Sequence, residues 1–80
     1  MTSASAFIKA CDNWEEETDT PEQFGMLVDQ WLGLTKNGQR RLAAQFDLAI
    51  STVSRWRQGK STPYPMVQDL VVQWLKETVQ

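Results

Sequence analysis

The sequence predicts an all-α protein, a compact bundle of four to five short helices, and three observations carry that expectation. Apolar residues recur at helical spacing in stretches near the start, before residue 35 and after residue 65. No run alternates apolar and polar residues for the length of a useful strand. Pro21, Asn37-Gly38, Gly59 and the Pro63/Pro65 pair fall where helices should begin or end.

Taken in order, residues 1–4 are expected to fray. Phe7, Cys11 and Trp14 then stand at i, i+4 and i+7, one face of a short helix over 5–14. Residues 12–19 form an acidic connector. Thr20-Pro21-Glu22-Gln23 reads as an N-cap, a proline at the first helical position and a capping-box glutamine. Phe24, Leu27, Val28, Trp31 and Leu32 follow at the spacing of an amphipathic helix that ends near 33–36, with Asn37-Gly38 as its turn. Two short helices are predicted over 39–46 and 50–57, with Gly59 at C′ and Arg55 and Arg57 favourably placed in the last turn. A proline-stiffened loop covers 61–65. Met66, Val67, Leu70, Val71, Trp74 and Leu75 make a wide stripe on a last helix over about 65–77. Trp31 and Trp56 are expected in the core; Trp14 belongs either to the core or to an appended segment.

Eighty residues, 41% of them apolar, support one domain with a core that needs neither metal nor disulfide. Residues 1–19 are an acidic extension or helix and 20–77 the folded core. Cys11 is the only cysteine, so no internal bridge forms; it is expected to be a small buried hydrophobe in a reducing, cytoplasmic compartment. No apolar run approaches membrane-spanning length, and no signal peptide is evident. Histidine is absent, which removes the usual general base, most metal sites and the Cys-His pair. The glycines stand singly, so no phosphate-cradling loop exists. No enzymatic activity, cofactor or metal is expected.

The net charge of −2 hides a sharp division. Residues 1–35 hold one cation against seven carboxylates, a balance of −6. Residues 36–60 hold six cations (Lys36, Arg40, Arg41, Arg55, Arg57 and Lys60) against Asp47, a balance of +5. A face built this way can bind a polyanion whatever the total charge.

Residues 39–58 read as one unit. Leu42, Phe46, Leu48, Val53 and Trp56 supply the apolar faces of two helices that meet across a turn. Ala43 is the small residue where backbones approach, and Asp47-Leu48-Ala49 the turn. Ile50, Ser51, Ser54, Arg55 and Gln58 are left pointing outward. The run QRRLAAQFDLAISTVSRWRQGKSTP, with its Leu-Ala, Val-Ser-Arg-Trp and Gly-Lys-x-x-Pro, resembles the Xre-type helix-turn-helix family of lambda repressor-like and Cro-like DNA-binding proteins. The resemblance extends over about residues 21–77. It departs from the family at Asp47, where glycine is usual, and at Ala49, where a serine or threonine cap is common. The connector through Thr35-Lys36-Asn37-Gly38 is also longer than in many relatives.

The resemblance implies a small prokaryotic or phage regulator that reads the major groove of double-stranded DNA with its 50–57 helix. Ile50, Ser51, Ser54 and Arg55 would meet base edges, Arg55 by a bidentate bond to guanine and Ile50 against a thymine methyl. Gln39 would grip phosphate, helped by the helix dipole. Thr52, Arg57, Lys60, Ser61 and Lys36 are the next phosphate contacts. Arg40 joins them, with one of Arg40 and Arg41 left to solvent or to an acidic partner. A homodimer on DNA is expected, with Val72, Trp74 and Val79 contributing to the interface. The rival expectation is a protein-interaction module, antitoxin- or antirepressor-like, whose acidic residues 12–19 bind a protein partner.

Overall fold

In the computed structural model, which describes residues 3–14 and 21–80, five helices follow in order: α1 (Ala4–Asp12), α2 (Pro21–Leu34), α3 (Gly38–Gln45), α4 (Ile50–Arg57) and α5 (Pro65–Val79). The described residues contain no strand, so the protein is all-α as expected. Residues 3 and 4 do not fray. The Ser3 hydroxyl accepts a hydrogen bond from the Ala6 amide at 3.1 Å and caps α1, satisfying an N–H that the first helical turn cannot. The expected Thr20 cap and residues 15–19 of the acidic connector lie outside the described residues.

The helix α2 is the hub. Phe24, Leu27, Val28 and Trp31 are buried along it, and α2 packs against every other helix. The pair α3 and α4 packs on α2 and on each other; α1 and α5 do the same. Phe7 is fully buried and Cys11 nearly so, which makes α1 part of the core. Trp14 follows α1 and tilts against Phe24 at 5.7 Å, and Phe24 meets Trp56 edge-on at 5.5 Å. Such pairs each add ~0.5–1.5 kcal/mol beyond burial. On the other side, Trp31 meets Trp74 at 5.3 Å, and Trp74 meets Phe46 edge-on at 5.9 Å. The Trp31 indole donates to Thr78 Oγ1 at 2.7 Å, which fastens the end of α5 to α2. A Lys76–Asp12 ion pair joins α5 to α1. The radius of gyration, 11.2 Å, is close to the ~12 Å expected for a compact chain of this length.

The C-terminal helix differs from expectation. Its buried residues are Gln68, Val71, Val72 and Leu75, whereas Met66 and Leu70 are 76% and 55% exposed. The stripe expected from sequence is therefore turned. Val72, which lies off the expected stripe, is 4% exposed and belongs to the core of this chain. Trp74 and Val79 are half-buried against the core.

Candidate nucleic-acid interface

The segment from α3 to Lys60 is held by two turns of the same design. At the end of α3, Asp47 takes a left-handed backbone (φ 54°), the Leu48 amide donates to the Ala43 carbonyl at 2.7 Å, and the Asp47 amide reaches toward the Ala44 carbonyl. At the end of α4, Gly59 has φ 73°, Lys60 N–H donates to the Arg55 carbonyl and Gly59 N–H to the Trp56 carbonyl, both at 3.0 Å. Both are Schellman closures, which satisfy carbonyls that the helix end would leave open. Asp47 stands where a glycine would be least strained, and a short polar side chain is the tolerable substitute. The Ala49 side chain offers no cap, yet α4 is helical from Ile50.

Gly25 explains how closely α4 can approach the hub. It is buried in α2, and a Cβ built on it would collide with the Trp56 carbonyl and crowd the backbone at Arg57 and Gly59. Only glycine allows this approach. Val53 and Trp56, 0% and 3% exposed, face inward from α4. At ~100° per residue, the opposite side of the helix carries Ile50, Ser51, Ser54, Arg55 and Gln58. Ile50 is 48% exposed, Ser51 and Arg55 are exposed and Ser54 is half-buried. The packing of α4 is chiefly on α2 and α3, and its outer face is uncovered. The four residues expected to read bases thus share one exposed face.

The expected phosphate contacts fall into three groups. Thr52 and Ser61 line one groove, of about 750 Å³, together with Leu48, Thr62 and Pro63. Lys60 is exposed just after the α4 turn. Arg57, by contrast, is engaged by Asp29 of α2 in a half-exposed ion pair. Gln39 is half-buried at the second position of α3, which begins at Gly38 after a left-handed Asn37 (φ 55°) that gives no side-chain cap. Lys36 and Arg40 are exposed around that helix start. Arg41 lies over the Trp31 ring, 5.8 Å from its centroid, so of the two neighbouring arginines it is the one used in packing.

Three positions were missed from sequence. Asp29 was counted only as one acidic charge. Gly25, inside a helical pattern, carried the signal of an interior glycine that permits close backbone approach. Gln68 stands three and four residues before Val71 and Val72, on the face that α1 and α2 bury. Among the described residues no cluster of His, Cys, Asp or Glu could hold a metal ion, and no helix is long and apolar enough to cross a membrane. No protein-family model matches the chain, and no curated protein or solved structure matches it.

Proposed function

We propose that this chain is a small helix-turn-helix regulator that binds double-stranded DNA, with α4 in the major groove. The observation that carries the proposal is the uncovered outer face of α4, polar and basic with one aliphatic, on a helix anchored from behind by Val53, Trp56 and the Gly25 contact. Arg55 is positioned on it for a guanine and Ile50 for a thymine methyl. Thr52, Lys60 and Ser61 flank the face for phosphates on one side, and Gln39, Arg40 and Lys36 surround the start of α3. Arg57 becomes a phosphate contact by exchanging Asp29 for DNA.

Two copies pair on adjacent half-sites, and the exposed apolar edge formed by Tyr64, Met66 and Leu70 serves this role in place of Val72. The protein works in the cytoplasm and regulates by occupying its site. Binding measured against salt concentration tests the reading. Four cations at phosphates, Lys36, Arg40, Arg57 and Lys60, correspond to a slope of about −4 in log K against log salt. Tight, salt-insensitive capture of a protein partner with no DNA binding would support the interaction-module reading.

A further inference from the structure

Gln68 is the one buried polar side chain among the core residues described, 9% exposed on the inward face of α5 between Val71, Val72 and the loop that follows α4. An uncharged amide at such a position is costly unless its hydrogen bonds are made. Its Nε2 donates to the Pro63 carbonyl at 2.8 Å. Pro63 has no N–H, so its carbonyl is its only backbone handle for a hydrogen bond. The loop is otherwise lightly held. Lys60 is fixed by the α4 closure and Gln68 N–H donates to the Tyr64 carbonyl, but among the described residues no backbone–backbone bond fixes residues 61–63. Tyr64 gives α5 no side-chain cap. The loop residues Ser61, Thr62 and Pro63 line the same groove as Thr52 of α4 and Gln68 of α5.

We infer that Gln68 is a positioning residue for DNA-backbone contact. It sets the distance between Ser61-Thr62 on the loop and Thr52 on α4, so that both meet phosphates of the DNA that α4 reads. An aliphatic residue here would fill the core equally well and leave the loop unplaced. The inference rests on the DNA-binding reading and deepens it by assigning a buried residue to the site.

Gln68→Met tests it, because methionine keeps the volume and discards the donor. Thermal unfolding should match or exceed wild type. Amide hydrogen exchange at Gln68, whose N–H donates to the Tyr64 carbonyl of the loop, should accelerate, and affinity for the wild-type DNA site should fall about three- to tenfold, the worth of one hydrogen bond. The salt slope and the base preference should stay unchanged, because the hydroxyls that Gln68 places carry no charge. Gln68→Met protein that is folded and binds with wild-type affinity overturns the inference while leaving DNA binding intact. Wild-type protein that binds no DNA overturns the underlying reading, and this inference with it.

Discussion

Arg55 and Asp29 show how much can turn on one side chain. Arg55 has no ion-pair partner among the described residues, and its guanidinium is available for a base pair. Replacing it with alanine should cost ~1–3 kcal/mol of discrimination at one position of the DNA site, measured by competition between matched and single-substituted duplexes. Asp29 acts in the opposite sense, since it holds Arg57 through a half-exposed pair. Such pairs contribute only ~0–1 kcal/mol to stability, so Asp29→Asn should leave the unfolding midpoint nearly unchanged. The same change should strengthen DNA binding with the salt slope nearly unchanged, because Arg57 meets a phosphate in both complexes but no longer has to leave a partner. A slope steeper by about one unit would mean that Arg57 stays on Asp29 in the wild-type complex. Cys11 is a different kind of residue. Burial, with Asp12 nearby, raises its thiol from 9.0 to about 11, so it stays protonated and unreactive at neutral pH. The folded state then resists ionisation more than the unfolded chain does. The stability from this group is complete below about pH 9 and is lost as pH rises toward 11. Chemical denaturation of wild type and Cys11→Ala across that window should show a steeper decline for wild type.

Among the elements, α4 depends most on what surrounds it. Eight residues are too few for an isolated helix to persist in water. The Gly25 approach, the inward Val53 and Trp56, and the closure at Gly59 hold it in place. Gly25→Ala would force α2 and α4 apart and should cost ~2–3 kcal/mol of unfolding free energy, read by denaturant titration. A neutral Gly25→Ala would show that this contact is loose. The start of α4 offers a gain instead: Ala49→Ser supplies the missing cap and should stabilise by up to ~1 kcal/mol. Much of this was legible in the sequence. Apolar spacing located all five helices to within a residue or two, and the left-handed Asp47 and C′ Gly59 were read correctly from turn chemistry. The face of α5 was not, because its orientation depends on where α1 docks, and periodicity within one helix carries no information about another helix's position. The Arg57–Asp29 pair was hidden for the same reason, since it joins side chains 28 residues apart. The four outward residues of α4 were legible because Val53 and Trp56 fix its inward side.

For the whole molecule, the arrangement around α2 separates two tasks. Helices α3 and α4 pack chiefly on the hub and on each other, which leaves the outer face of α4 clear. On the other side, α1 and α5 complete the core and leave Met66 and Leu70 outside. Leu70→Lys should therefore preserve folding and weaken cooperative occupation of a two-half-site duplex, followed by sedimentation of the complex. A variant that pairs on DNA like wild type would place the interface elsewhere. The division of charge, −6 before residue 36 and +5 over 36–60, gives a molecule of overall negative charge one basic segment, as the proposed binding of a polyanion requires. The central claim is that α4 reads a DNA sequence, and selection from a random duplex library at near-physiological salt tests it most directly. Wild-type protein should enrich a defined motif, and Arg55→Ala should lose the preference at one guanine within it. A library left unenriched by folded wild-type protein would contradict the account.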